Sequence, residues 1–537
     1  MSRRKKRPTG KARMPTLNSG YTEGGASLES NVLKGWIPQR LSAKSDIMPR
    51  LDILRSRSAD QAINSPMGSA AIKTSSMHTI GAGLRLFPRL RYKSLGLTAD
   101  EAREWTRKTA QEFDLWASSV LCDITKRNNF YDMQDIAYTG YLTDGDAFAM
   151  FRHKAGTHDM PYSLRIQLIE ANRVSNPDQF GALPYAVDIQ APNSNNRIIN
   201  GVEIDADGAV TAYWVSNRVP WDRIDSYKEA EWTRVKAFGS RSGRPNILQV
   251  CHDTRPEQYR GVPYLAPVIE TLKEVSRYTT AELTAAIIRS FFALFFVQQE
   301  NTKDLNTILG EPMMGMHNDQ EEELDLNEYA LTAGTMNALP KGVDVKAINA
   351  TGTASTFDVF VGHLIKQIGA AIGVPYEVLT KHFSSSYSAS RAALLQAWEE
   401  FKLRRTWFSR DFCQPVYEAW LAEAIALGRI EAPGFFEDPA KMAAWCNAEW
   451  YGPTMSILDP VKDVNGSNLR VYNGLSTREK EAAEMTGTDL EENLEQLAYE
   501  KRIIQELGLE LAKPTSTTEL QPDTGGSNDD EQKGGAS

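Results

Sequence analysis

An α+β chain built in several parts is the fold class this sequence predicts, and three observations predict it. Between Ala147 and Asp253 apolar and polar residues alternate at period two, in runs bounded by Gly, Asn and Asp. From Gly261 to Gly428 the apolar period becomes helical, over segments longer than an average globular helix. Between those helical segments, from about Asn301 to Ala354, the run Asp319-Gln-Glu-Glu-Glu-Leu-Asp325 marks a change of character. The expected order is an α/β body, a long helix, a small α/β insert, a returning helix and a helical C-terminal region. With 537 residues, 41% of them hydrophobic, the chain has length for roughly three or four domains and enough apolar surface for a sizeable core.

Residues 1–44 are rich in Gly, Ser, Lys and Arg and poor in large apolar residues, the composition of a disordered basic arm. No apolar stretch follows the basic start, so it reads as neither a secretion signal nor a membrane anchor. Order is expected from about Ser45. Two helices follow, broken at Ser65-Pro66 because proline disfavours helical angles for the residue before it. A turn at Gly81–Gly83 and a short strand over Leu84–Pro88 come next.

Thr98-Ala-Asp-Glu101 is a capping box, in which hydroxyl and carboxylate satisfy orphan N–H groups at a helix start. Trp105, Thr109, Phe113 and Trp116 then follow at helical spacing, as a core-facing stripe does. A second helix over about Asp132–Leu142 ends at Thr143-Asp-Gly-Asp146. Strands are expected at Ala147–Arg152, around Leu164–Leu168 and at Ile247–Asp253. Gly201–Asp205 and Ala209–Asn217 flank Ala206-Asp207-Gly208, a hairpin with glycine available for positive φ. Asp205 and Asp207 lack the later ligands of an EF-hand calcium loop, so they belong to the turn.

The helix after Arg260 accepts Pro267 in its first turn and meets no other breaker until past Gln299, which predicts a rod about 50 Å long. Its end, Ser290–Gln299, is nearly all apolar, but Arg289 and Glu282 leave the run too short to span a bilayer, so no stable membrane insertion is expected. Lateral packing against other rods explains the length better. Within the insert, Val343–Ile348 alternates like a strand after the turn at Pro340-Lys-Gly342.

Ser355–Gly373 returns as a helix with Phe357, Phe360, Val361, Leu364, Ile368 and Ile372 on one face. The polar loop Lys381-His382-Phe383-Ser384-Ser385-Ser386-Tyr387-Ser388 leads into a further helix, with Leu394, Trp398, Phe401, Phe408 and Phe412 at helical spacing. Pro415 is expected to kink it and Gly428 to cap it. A compact segment with Trp445 and Trp450, a final helix over about Thr477–Leu507 and a disordered tail from Lys513 complete the chain.

The search for chemistry returns little. The sole Gly-Lys pair, Gly10-Lys11, has neither the upstream glycine nor the following Ser/Thr of a phosphate-binding loop. Gly239-Ser-Arg-Ser-Gly243 places Arg241 where a nucleophile elbow needs serine. His252-Asp253 is an isolated pair, and Cys122, Cys251, Cys413 and Cys446 have no metal-ligand spacing, so free thiols and no cofactor are expected. Lys381 and His382 beside the serines invite a catalytic reading, but a surface loop touching a partner is the plainer one. The net charge is −9, with the positive excess at the N-terminus, so the body lacks the basicity that grips phosphates over a large surface.

Four segments, in order, carry a resemblance: RGVPYLAPVIETLKEVSRYTTAELTAA, GVPYEVLTKHFSSSYSASRAALLQAWEEF, WCNAEWYGP and GLSTREKEAAEMTGTDLEE. Together they make the chain, from about Ser45 to Leu509, resemble the lambda-type portal proteins of tailed bacteriophages. The resemblance implies a ring of about twelve copies at one capsid vertex. It implies a wing over residues 45–260, stem helices over 261–300 and 355–373, and a clip over 301–354. A tunnel loop and long kinked helix would occupy residues 374–428, and a wing or crown region residues 429–510. Residues 511–537 would be a disordered tail.

The clip, with Glu321, Glu322, Glu323 and Asp325, would dock the terminase large subunit and then the head-completion and tail connector proteins. Major capsid and scaffold proteins would surround the ring. In the tunnel loop, Lys381 would meet phosphate, and Phe383 and Tyr387 would brush the duplex or pack on neighbours. The implied role is a passive channel for double-stranded DNA packaging and ejection, in the virion and, during assembly, in the host cytoplasm. The competing class is a capsid-associated nuclease or protease.

Overall fold

The computed structural model describes residues 25–28, 30–177, 187–192, 194–219, 222, 224, 227, 229–290, 294–298, 343–347, 354–383, 386–455 and 460–508. The chain divides into two compact units, Met1–Pro453 and Thr454–Ser537.

The first unit opens with helix α1 (Ala43–Ile47), capped by the Ser42 hydroxyl, so regular structure starts just before Ser45. Helices α2 (Leu51–Asn64) and α3 (Pro66–Thr79) meet at Ser65, whose backbone is extended and whose hydroxyl accepts the Gly68 N–H at 3.3 Å. The junction is tight: a Cβ on Gly68 would lie 2.4 Å from the Gln61 carbonyl oxygen. Strand β1 (Arg85–Pro88) and helix α4 (Tyr92–Leu95) lead to α5 (Ala99–Ala117), where both halves of the Thr98–Glu101 capping box are present. Helix α6 (Phe130–Asp144) starts at Asn129 and stops at Gly145, which is left-handed at φ +89°.

Strands β2 (Asp146–His153) and β3 (Leu164–Ile169) follow, then β4 (Asp188–Gln190), β5 (Arg197–Ile199), β6 (Val202–Ile204), β7 (Val210–Ser216), β8 (Trp232–Lys236) and β9 (Ile247–Cys251). They form two antiparallel sheets, one ordered β3-β2-β9 and one the meander β4-β5-β6-β7-β8. The expected hairpin is β6–β7, with Gly208 at φ +84° in its turn.

The predicted rod is shorter than its sequence suggests. Helix α7 covers Ile269–Ser290, about 33 Å at 1.5 Å per residue, and Leu294–Gln298 is strand β10, paired antiparallel with β11 (Val343–Ala347). A continuous apolar run lacks the period that separates helix from strand, and here a partner strand from across the insert decides the matter. Helix α8 (Ala354–Ile372) and α9 (Tyr376–Thr380) precede α10 (Tyr387–Phe408), so Tyr387 and Ser388 belong to the first turn of α10 rather than to the loop.

Pro415 makes no break. The chain passes through a π-helical turn at Ser409–Cys413 into α11 (Gln414–Ala426), in whose first turn proline needs no N–H partner. Helix α12 (Pro439–Trp445) and strand β12 (Ala448–Tyr451) close the unit, β12 pairing with the distant β1.

The main core lies where α11 runs through the body. Val416, Tyr417, Trp420, Leu421 and Ala424 share one face of the helix and are all buried, as the core-facing stripe of a helix is. Phe113 meets Trp420 edge-on at 5.1 Å, and Phe130 stacks on Phe412 at 5.8 Å. Trp116 is buried, while Trp105 is only partly so and donates its indole N–H to the Glu431 carbonyl at 2.8 Å.

The second unit holds α13 (Pro460–Tyr472), α14 (Arg478–Thr486) and α15 (Leu490–Glu506). The single final helix expected over 477–507 is split by Gly487, left-handed at φ +71°.

Candidate functional site

The long hairpin that starts at Gly261 is fixed at its base by a contact only glycine permits. A Cβ on Gly261 would stand 1.7 Å from the carbonyl oxygen of Gly145, so two stretches of backbone, at the end of α6 and ahead of α7, lie directly against each other.

Beside them Asp146 is buried and accepts from Arg55 Nη2 (2.8 Å), Arg260 Nε (2.7 Å) and Nη2 (3.2 Å), Gln249 Nε2 (3.3 Å) and the Gly261 N–H (3.1 Å). Arg260, itself buried, donates further to the carbonyls of Ala171 and Val174, each at 2.7 Å, and of Asn200. Arg55 reaches the Asp144 carbonyl at 2.7 Å. Burial opposes the Asp146 charge, but Arg260 and then Arg55 outweigh it and hold the carboxyl below its ordinary range. Burial pushes Asp144 the other way, up to about 6. The cluster joins α2, β2, the meander sheet and the foot of the hairpin.

The hairpin is antiparallel along its described length. Tyr264 donates its hydroxyl to the Ile372 carbonyl at 2.5 Å, Tyr278 stacks on Phe357 at 5.4 Å and meets Phe360 edge-on at 5.1 Å, and Leu294 pairs with Ala347. Arg404 lies over the Tyr264 ring at 4.5 Å and bonds Glu400 at 2.8 Å, so α10 clamps the point where the two arms converge. Toward the other end Leu283, Ile287, Val359 and Phe360 are exposed.

The loop at Lys381 stands on a buried anchor. Val374 turns back to donate its N–H to Gly369 O at 2.9 Å, a turn so close that a Cβ on Gly369 would sit 2.4 Å from the Val374 carbonyl oxygen. Val374, Val378 and Leu379 are buried, and Lys381 then adopts a left-handed conformation at φ +56° that ends α9. Lys381, His382 and Phe383 are exposed. Ser386 caps α10 by accepting the Ala389 N–H at 3.4 Å.

Below the loop, His78 stacks on Phe401 at 5.1 Å and meets Trp398 at 6.0 Å; burial lowers its pKa, and Lys381 and Arg405 lower it further. Arg405 bonds the carbonyls of Thr79 and His78, each at 3.0 Å, and of Pro453 at 2.8 Å, which ties α10 to the end of α3.

Of the residues picked out in the sequence, Lys381, His382, Phe383 and Ser386 are exposed, with Tyr387 and Ser388 at the start of α10. Ser384 and Ser385, and the acidic Glu321, Glu322, Glu323 and Asp325, lie outside the described residues. His252 packs flat on Trp407 at 5.2 Å, and among the described residues no three His, Cys, Asp or Glu side chains gather as metal ligands would. The cysteines are free, and no described helix is long and apolar enough to cross a membrane. The Arg55–Asp146–Arg260 cluster was beyond sequence reasoning. Its only trace is glycine beside charge at two distant points, Gly145-Asp146 and Arg260-Gly261.

Residues 29–405 match the family described as phage portal protein, lambda family. The chain is 26% identical over 519 residues to the portal protein of Escherichia phage N15, covering 91% of each chain. It is 25% identical over 491 residues to portal protein B of Escherichia phage lambda, covering 88% of each. Among solved structures, a chain in the neck of a native gene transfer agent particle with C12 symmetry aligns at a TM-score of 0.39 and 12% identity, over 80% of this chain and 92% of that one.

Proposed function

The chain belongs to the lambda family of phage portal proteins, and on that membership we propose that its copies close into a ring of about twelve at one capsid vertex. A portal protein is a structural part of the virion, the head-to-tail connector, and not an enzyme. The ring is a passive channel: double-stranded DNA enters through it during packaging and leaves through it at ejection.

The observation that carries this reading is the extent of the family match, which spans the α/β body, the hairpin and the loop in one run. The physical features support it. The outward apolar residues Leu283, Ile287, Val359 and Phe360 give the hairpin faces for lateral packing against neighbouring copies. The acidic run 319–325 and the net charge of −9 suit a wall along which a polyanion slides rather than sticks.

In this reading the α/β body, residues 45–260, is the wing, α7 and α8 are the stem helices, and the β10–β11 pair leads into a clip over 301–354. Residues 429–510 add the crown region. Glu321, Glu322, Glu323 and Asp325 face the terminase large subunit, which supplies the ATP-driven force, and later the head-completion and tail connector proteins. Major capsid and scaffold proteins hold the ring in the shell, and assembly takes place in the host cytoplasm. The tunnel loop runs from Lys381 to the Ser386 cap, with Tyr387 and Ser388 in the helix turn that follows it, and Lys381, at the end of α9, is the phosphate partner.

Negative-stain electron microscopy with native mass spectrometry on the same purified sample tests the architecture. Rings with a central hole and about twelve subunits are expected. A compact small oligomer without a hole, at several salt concentrations, overturns it.

A further inference from the structure

Three basic side chains from three helices converge below the loop, and among the described residues no carboxylate bonds any of them. Arg405 on α10 lies over the Trp398 ring at 5.7 Å and gives its donors to the backbone carbonyls of Thr79, His78 and Pro453. Burial alone lowers its pKa, to about 10, with no carboxylate raising it. Two of those carbonyls end α3, and the negative end of a helix dipole favours a cation. His78, in the same last turn, has its ring flat on Phe401 at 5.1 Å and edge-on to Trp398 at 6.0 Å. Lys381 ends α9, which packs on both α3 and α10.

The acids of the surrounding helices are engaged elsewhere or stand apart. Asp135 of α6 bonds Ser76, Asp60 of α2 accepts from the Asn64 amide at 2.7 Å, and Glu400 of α10 bonds Arg404 at 2.8 Å. Glu399 of α10 is exposed, and Glu377 sits one turn before Lys381 on α9. The charged groups that act on His78 are Lys381 and Arg405, and after burial they are what opposes its protonation.

A ring so placed responds to an anion. His78 is only half-buried, so solvent can supply it with a proton. A phosphate oxygen at Lys381 offsets the larger of the two opposing charges and makes that proton easier to hold. Coupling between two sites is reciprocal, so the protonated ring in turn tightens the phosphate.

We propose that Lys381 and His78 are two parts of one proton-linked anion site, in which a phosphate diester of the duplex held at Lys381 draws a proton from solvent onto His78. Acid therefore strengthens the grip of the loop on DNA, by adding a positive charge behind Lys381. The inference rests on the reading of Lys381 as the phosphate contact and adds a pH dependence to it.

The test uses full-length protein carrying His382→Gln, which removes the other histidine of the loop, and a short fluorescein-labelled DNA duplex at low salt. Fluorescence anisotropy is expected to show binding about fivefold tighter at pH 5.5 than at pH 8, at the low end of coupling between two sites. Adding His78→Gln is expected to abolish that gain. A gain as large in the His78→Gln protein overturns the inference and leaves the Lys381 contact standing. Binding that Lys381→Ala weakens at neither pH sinks the contact and the inference together.

Because His78→Gln also removes a stacked ring, calorimetry without that substitution gives a second reading. Titrations with the duplex, in two buffers of different ionisation enthalpy, count the protons taken up on binding. Uptake that disappears when Lys381→Ala is added is expected. Binding without such uptake overturns the site, and uptake with sulfate but none with the duplex overturns its link to DNA.

Discussion

Two cations mark the two ends of what this fold does with charge. Arg260, at the foot of the hairpin, is buried among two carboxylate oxygens and three backbone carbonyls. Lys381, at the end of α9, is exposed on a left-handed residue above a buried anchor. The first has its hydrogen bonding directed inward and serves to join elements. The second stands exposed beyond a closely packed backbone turn, at the place proposed above for contact with DNA phosphate. Burial thus separates these two cations more sharply than residue type does.

The largest effect should come from breaking the inward side. Arg260→Leu leaves the buried Asp146 with Arg55 as its one cation and takes a donor from three backbone carbonyls, and is expected to lose about 3–5 kcal/mol of stability in urea unfolding. Gly261→Ala should fail comparably, seen as insoluble protein, since its Cβ would stand 1.7 Å from Gly145 O. A variant at either place as stable as the wild type would end the comparison.

Asp144 sharpens it through pH. Its pKa is raised from 3.8 to about 6, chiefly by burial, so the folded carboxyl keeps its proton where the unfolded one has lost it. Stability tied to this group is present below about pH 4 and falls as pH rises through about 6, by up to about 3 kcal/mol. Asp144→Asn should therefore raise the melting temperature at pH 8 and make little difference at pH 4. A gain that is the same at both pH values would remove burial of this charge as the cause.

The outward side predicts small effects on stability and clear ones on DNA. Lys381→Gly relieves a left-handed residue and should stabilise by about 1 kcal/mol. Lys381→Ala with His382→Ala should leave rings and melting within about 0.5 kcal/mol of the wild type while lowering DNA packaging or retention. Normal yields of particles with fully retained genomes would refute the contact.

The legible parts of this protein are those where a local pattern has one solution. Thr98 and Glu101 announce their capping box, Asp207-Gly208 its hairpin and Ser65-Pro66 its break, and the structure contains all three. Where a segment has two solutions the sequence gives no choice. Leu294–Gln298 is apolar without a period, and the partner that makes it a strand lies beyond the insert at Val343–Ala347. Thr477–Leu507 keeps a helical composition across Gly487, yet the chain turns there. The loop at Lys381 was visible as a polar interruption, but its division into exposed residues and a helix start was not.

By itself the sequence determined where most helices and strands lie, which of their faces are apolar, and, through four ordered segments, the family. Local spacing is sufficient for this, because side-chain direction repeats with the backbone period. Only the tertiary structure decided that Gly145 touches Gly261, that Asp146 collects two arginines from positions 55 and 260, that β1 pairs with β12, and that Leu469 on α13 and Leu494 and Leu497 on α15 are exposed. The first three depend on residues far apart in the chain meeting within a few ångströms, and no local period records which distant segment will supply the partner.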